Sequence, residues 1–173
     1  MKKNLLAFAI VAVLFAGLGI FLGDKQTVPA PPEISAVSQL FAQSMPDTSG
    51  QQQPLSKWKG TALVVNFWAT WCAPCVEEMP ELSALQAEIT PLKIQILGIG
   101  IDSLANINEF SSKYKIAYPL YSGGISGTNI ARQLGNQAGG LPFTVLIDRD
   151  GQVKKTYLGR LKMEDLRRDL RAL

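Results

Sequence analysis

Histidine is absent from the 173 residues. That absence excludes Ser-His-Asp and Cys-His catalysis, the paired histidines of zinc proteases and every imidazole-ligated metal site. Cysteine is almost absent: Cys72 and Cys75 are the only two. Two thiols cannot complete a four-ligand zinc site, and a disulfide scaffold needs more of them. Strong charge of one sign is missing too. Lys and Arg number 17 against 14 Asp and Glu, a formal net charge of +3, which is too weak a bias for a nucleic-acid binder. Setting aside Lys2 and Lys3 leaves 15 against 14, so no solubilising acidic or basic tail is present. Nor is there an internal repeat.

One long apolar run does stand out. Residues 5–22 read LLAFAIVAVLFAGLGIFL, without a charge or a strong polar group. As a helix at ~1.5 Å per residue this run spans ~27 Å, close to the ~30 Å of a bilayer's hydrocarbon core. A cleaved signal peptide has a shorter apolar stretch and a small-x-small cleavage site. Here the nearest candidate, Val28-Pro29-Ala30, is followed by Pro31. Residues 1–23 are therefore expected to form an uncleaved transmembrane anchor. A cleaved signal and a buried helix of the folded domain are the alternatives. Lys2 and Lys3 place the N-terminus in the cytoplasm by the positive-inside rule. The remainder is then expected on the periplasmic, extracytoplasmic side of the cell membrane, where disulfides persist. Residues 24–35 contain Pro29, Pro31 and Pro32 and read as a semi-rigid or disordered linker. Residues 36–173 make one domain, large enough to bury its own core.

The domain alternates strand and helix. Residues 61–69 (TALVVNFWA) form a β-branched and aromatic run, the pattern of a buried strand. Val76, Met79, Leu82, Leu85 and Ile89 recur at helical spacing over residues 73–89, and Pro91 closes that helix. Residues 94–101 (IQILGIGI) predict a second buried strand. Asp102 or Ser103 is placed to cap a following helix, which carries Leu104, Ile107, Phe110 and Tyr114 on one face. A connecting region comes next, with short apolar pieces at 119–121 and 130–134. Residues 143–148 and 153–158 flank Asp150-Gly151, a strong hairpin signal. An amphipathic helix over 163–173 ends the chain, with Arg167, Arg168 and Arg171 on a solvated face near its end. The order βαβα, connection, ββα predicts an α/β fold with one mixed sheet.

The chemistry centres on Trp71-Cys72-Ala73-Pro74-Cys75, where strand gives way to helix. Cys72 falls at the helix N-terminus, whose unpaired N–H groups and dipole stabilise a thiolate. Cys75 follows one turn later, within disulfide reach. Pro74 suits a first turn, because its missing N–H is not needed there. Three readings stand side by side. As a structural staple the pair closes a loop of only four residues, which stabilises by at most about 2 kcal/mol. As a metal site it lacks further ligands. As a redox couple it has what it needs.

The run from Val65 to Cys75 (VNFWATWCAPC), with Glu77-Glu78-Met79-Pro80 after it, resembles thioredoxin-fold proteins. More narrowly it is similar to the membrane-anchored TlpA/ResA-like thiol–disulfide reductases. Lys57-Trp58-Lys59-Gly60 upstream, Gly140-Leu141-Pro142 before a strand ending Leu146-Ile147-Asp148, and Asp150-Gly151 extend the likeness over residues 40–173. The resemblance implies a thioredoxin fold, a central mixed sheet flanked by helices. It implies that Cys72 is the nucleophile, Cys75 the resolving thiol and Pro142 a cis-proline packed against them. Glu78 falls on the carboxylate that tunes thiol protonation, although a plain helix-surface role is the alternative. Trp71, Pro74, Leu141 and Pro142 fall where the family meets its substrate. Trp68 and Trp71 also have a simple packing reading. Two departures matter. Thioredoxin's buried Asp is replaced by Asn66, which cannot accept a proton. The acidic residue that follows the cis-proline in cytochrome-maturation relatives is replaced by Phe143.

The expected function is that of an enzyme: an extracytoplasmic thiol–disulfide oxidoreductase, mainly reducing protein disulfides. The same chemistry run as an oxidant, an isomerase or a cytochrome c maturation reductase is the closest alternative. A non-enzymatic peptide-binding module is a more distant one. The expected partners are protein disulfide substrates, an upstream membrane thiol–disulfide electron donor and the membrane itself, with no nucleic acid. No cofactor is expected beyond the redox-active disulfide.

Overall fold

The structure is a computed structural model that describes residues 35–173. The anchor expected over 1–23, and the linker over 24–35 apart from Ser35, lie outside the described residues. Among the described residues, no helix is long and apolar enough to cross a membrane.

Helix α1 (Ala36–Phe41) leads into a small hairpin of β1 (Ser44–Pro46) and β2 (Gln52–Pro54). Then follow β3 (Ala62–Trp68), α2 (Ala73–Ile89), β4 (Ile94–Gly100), α3 (Leu104–Tyr114), β5 (Leu120–Ser122) and α4 (Gly124–Gln133). The chain closes with β6 (Phe143–Ile147), β7 (Val153–Leu158) and α5 (Met163–Leu170). Five strands form one sheet in the order β5-β4-β3-β6-β7. The β3–β4 and β4–β5 pairs are parallel, whereas β3–β6 and β6–β7 are antiparallel. This is the mixed sheet flanked by helices that the sequence implied.

Strand β3 is buried at every position because it feeds two cores. Ala62, Val64 and Trp68 pack with Met79, Leu82 and Leu85 of α2, Ile107 and Phe110 of α3, and Leu166 and Leu170 of α5. Leu63, Val65 and Phe67 pack on the other face with Val37, Leu40 and Phe41 of α1 and Ile130 and Ala131 of α4. Successive side chains of a strand point to opposite faces, so a central strand covered on both sides reads as an unbroken apolar run.

Helix α2 is tied to the sheet by a buried amide. Gln86 accepts the Ile96 N–H at 2.7 Å and donates to the Ile94 carbonyl at 3.2 Å. In the β6–β7 hairpin, Asp148 accepts the N–H groups of Asp150 and Gln152 at 3.0 and 2.8 Å. Gly151 there holds φ at 77°, a left-handed value that glycine adopts without strain. The basic cluster of α5 is less free than the sequence suggests. Arg167 grips Glu88 through two nitrogens at 2.9 Å, and Arg168 meets Asp165 at 2.8 Å.

Close approach at β4 gives a test of packing. A Cβ on Gly98 would lie 2.4 Å from Leu120 Cδ2 and 3.2 Å from both Trp68 Nε1 and Tyr118 Cε2. Overpacking of this kind costs ~1–3 kcal/mol. Gly98→Ala is expected to lower the urea midpoint without changing the denaturant slope. An unchanged midpoint would show that Leu120 swings aside freely.

Candidate active site

The site lies where β3 ends and α2 begins, at the carboxyl edge of the parallel strands, the usual place for chemistry in open α/β sheets. A turn closed by the Cys72 N–H on the Ala69 carbonyl, at 3.2 Å, carries the chain around. Cys72 takes the N-cap position with extended backbone, φ −92° and ψ 100°, and Pro74 sits in the first turn. The Cys72 carbonyl accepts the N–H groups of Cys75 at 3.0 Å and Val76 at 3.1 Å. No acidic residue lies in that first turn, so nothing within it opposes the positive end of the helix dipole. Cys72 and Cys75 form a disulfide with their Cα atoms 5.3 Å apart. Cys75 is wholly buried and Cys72 is 6% exposed. The residue that the resemblance implies as nucleophile is thus the slightly more open of the two, although in this disulfide form both are buried.

Glu78 comes one turn after Cys75 and points inward, fully buried. The helix-surface alternative is therefore ruled out. Its Oε1 accepts from Asn66 Nδ2 at 2.8 Å, and its Oε2 accepts the Leu161 N–H at 2.9 Å. Asn66 Nδ2 also reaches Thr144 Oγ1 at 3.0 Å. Asn66, the residue that departs from thioredoxin, is thus the direct partner of Glu78. Burial pushes the Glu78 carboxyl up to about 7, against the opposing pull of the Leu161 N–H, the Asn66 amide and the Arg160 guanidinium.

The segment behind Glu78 also reaches Pro142. Gly159 donates its N–H to the Pro142 carbonyl at 2.8 Å. Arg160 bridges Glu77 at 2.5 Å and Glu81 at 2.8 Å. Residues 159–161 therefore strap the Pro142 turn to α2. Pro142 is buried, and the Leu141–Pro142 peptide bond is cis, as expected.

Trp68 and Trp71 part company. Trp68 is wholly buried and Trp71 is 70% exposed, so only Trp71 is available to another molecule. Trp71 and Leu141 line one notch of about 70 Å³ with Ile101, Thr128, Ala131, Asn136 and Gly139. Pro74 is exposed on the first turn of α2. A larger pocket of about 340 Å³, lined by Asp148, Arg149 and Lys59 among others, lies at the far end of the sheet from the cysteines and takes no part in this site. Among the described residues, no group of three or more Cys, Asp or Glu side chains is placed to hold a metal ion.

Sequence reasoning missed the Leu161 and Thr144 contacts, which lie 83 residues from Glu78 and 78 from Asn66. No local pattern signals them. It also left open which residue caps α3. Ser103 does so, accepting the Asn106 N–H at 3.2 Å, and Asp102 is turned to Thr70.

The family model for Redoxin matches residues 26–172. The chain belongs to the Redoxin family. Over its whole length this redoxin is 28% identical to a Geobacillus kaustophilus protein named thiol-disulfide oxidoreductase ResA, covering 99% of that protein. A thioredoxin-family thiol:disulfide interchange protein from Chlorobium tepidum superposes with a TM-score of 0.64 at 26% identity, over 75% of this chain and 91% of the other. A secreted Mycobacterium tuberculosis disulfide oxidoreductase gives 0.66 at 21% identity, over 78% and 98%, a likeness of fold. Fold, family and the CxxC pair together make this redoxin a thioredoxin-like thiol–disulfide oxidoreductase.

Proposed function

We propose that this redoxin reduces protein disulfides outside the cytoplasm, held to the membrane by residues 1–23. The observation that carries the reading is the Cys72–Cys75 pair at the N-terminus of α2, with Cys72, the less buried of the two residues, next to the exposed Trp71. The ResA relatives, similar over the whole chain and named thiol-disulfide oxidoreductases, support thiol–disulfide exchange at this pair. The 18-position apolar run behind Lys2 and Lys3 supports the anchor.

In the dithiol form, the helix N-terminus lowers the pKa of Cys72, and its thiolate attacks one sulfur of a substrate disulfide. A Cys72–substrate bond forms as the substrate bond breaks, and the first substrate sulfur leaves as a thiolate. Cys75 then gives up its proton and attacks Cys72. The Cys72–Cys75 bond closes, and the second substrate sulfur leaves. Two electrons have passed to the substrate. A membrane thiol–disulfide donor returns them to the redoxin. Glu78 receives the Cys75 proton, since a buried carboxyl that titrates near neutrality can accept and release one at working pH. Trp71, Pro74, Leu141 and Pro142 frame the incoming strand, and the Leu141 backbone pairs with it in sheet fashion. No metal or organic cofactor enters these steps.

Trapping tests the reading. In cells expressing full-length Cys75→Ser, the mixed disulfide on Cys72 cannot resolve. Substrate proteins should remain attached, stay in the membrane pellet after an alkaline wash and come free with dithiothreitol. Absence of dithiothreitol-sensitive complexes would contradict the function. A soluble form beginning beyond residue 22 would contradict the anchor.

A further inference from the structure

Asp102 follows β4 but does not cap α3, because Ser103 does. Its carboxylate instead spans two elements. Oδ1 accepts the Ser103 N–H at 2.7 Å and Asn106 Nδ2 at 2.7 Å, on the α3 side. Oδ2 reaches over to the end of β3, where it accepts the Thr70 N–H at 3.2 Å and the Thr70 hydroxyl. Backbone contacts fix Asp102 in turn. Ile101 donates its N–H to the Trp68 carbonyl at 2.7 Å, and the Ser122 hydroxyl donates to the Asp102 carbonyl at 3.1 Å. The ends of β3, β4 and β5 therefore meet at this residue. Four donors surround one carboxylate, and among the described residues no Lys or Arg forms an ion pair with it. Partial burial pushes its carboxyl up, but the hydrogen bonds from Thr70, Asn106 and Ser103 outweigh that and hold it below the usual range.

Thr70 and Trp71 are the two central residues of the turn that the Cys72 N–H closes on Ala69. Trp71, mostly exposed, has little packing to hold it. What fixes the turn is the grip on Thr70. We propose that Asp102 is a positioning residue for the redox pair, holding the Thr70–Trp71 turn so that Trp71 and Cys72 face a substrate disulfide together. This rests on the reading of the chain as a protein-disulfide reductase. A second consequence follows from the unpaired charge. The carboxylate is bonded to Thr70, two residues before Cys72, and an anion placed there works against a Cys72 thiolate, so Asp102 favours the disulfide form of the couple.

The two effects separate by substitution in the full-length chain. Asp102→Asn removes the charge and sets an N–H donor against one of the four donors. Thr70→Val removes the hydroxyl but leaves the carboxylate in place. Thr70→Ser keeps every hydrogen bond. Reduction of insulin should fall about tenfold in kcat/KM for Asp102→Asn and Thr70→Val, the scale of a lost charge-assisted hydrogen bond. A small aromatic disulfide, which needs no aligned turn, should be reduced within threefold of the parent rate. Thr70→Ser should stay within about twofold on both. In equilibrium with glutathione, Asp102→Asn should shift several-fold toward the dithiol, and Thr70→Val should not shift. Parental insulin kinetics and glutathione equilibrium in a folded Asp102→Asn would overturn the proposal. So would a Thr70→Ser loss as deep as that of Thr70→Val. If Asp102→Asn does not fold, the Thr70 pair decides the positioning role. If the parent itself does not reduce insulin, the reductase reading fails, and the glutathione equilibrium still tests the effect of the charge.

Discussion

Cys72→Ser is expected to abolish disulfide reduction, with turnover of a protein disulfide falling at least ~10³-fold below that of the parent chain. The chain has only two cysteines, so no other thiol can substitute. Cys75, wholly buried in the turn above Glu78, cannot reach a substrate sulfur in Cys72's place. A serine hydroxyl is scarcely ionised near neutral pH and is no nucleophile toward disulfide sulfur. The change should leave the fold standing, because the cross-link closes a four-residue loop that contributes at most about 2 kcal/mol. Circular dichroism alongside an insulin-reduction assay checks both parts. Residual activity above a few per cent would mean that Cys72 is not the attacking sulfur.

The second large effect concerns pH. Glu78 titrates near 7 in the folded chain, pushed there chiefly by burial, against an ordinary value of 4.5. Its folded value is raised, so between those two pH values the native state binds more protons than the unfolded state. Stability must then fall as pH rises from 4.5 to about 7, and level off above. The loss is on the order of 3 kcal/mol. Asp102 and Asp169, both held below their ordinary values, titrate under that window and do not blur it. Urea unfolding of the oxidised chain at pH 5, 6, 7 and 8 measures the slope. Glu78→Gln should remove most of it. The variant should also carry a uniform cost, because an amide N–H then faces the donor of Asn66 or Leu161. A parent that gains stability from pH 5 to 7 would show that Glu78 is ionised throughout.

How much of this the sequence already held varies from element to element. The strand expected over 61–69 and the helix over 73–89 match β3 and α2 almost to the residue. The first is unbroken in hydrophobicity, and the second has a clear helical period between a proline-tolerant start and a closing Pro91. The first part of the domain was not legible. Helix α1 and the β1–β2 hairpin are short, and Ser, Gln and Pro dominate the hairpin strands, so no period emerges. Helix α4 was hidden for a different reason. Gly124 and Gly127 lower its helix propensity, and only its end, near Ile130, showed as apolar. Glycine also lets α4 approach β4 closely there, since a Cβ on Gly127 would meet Ile101 Cδ1 at 2.8 Å and Ile99 Cγ2 at 3.0 Å.

At the site the cysteines were legible because their chemistry is local. Two residues three apart at a helix start specify their own geometry. The setting of Glu78 was not legible, because it depends on Asn66 from the preceding strand and on a backbone N–H 83 residues away. The family resemblance implied a role for Glu78. Its burial, and so its titration near neutrality, came only with the fold. Asp102 is the converse case. It looked like an ordinary helix cap, and the structure gives that task to its neighbour.

The reducing direction is the central claim, and the midpoint potential of the Cys72–Cys75 couple tests it most directly. Equilibrating the full-length protein in detergent with graded dithiothreitol mixtures, and quantifying both forms by thiol alkylation, gives that potential. A protein-disulfide reductase should sit near the ~−270 mV of thioredoxin or below it. A value close to the ~−120 mV of a strong oxidant would contradict the account and make this redoxin a donor of disulfides.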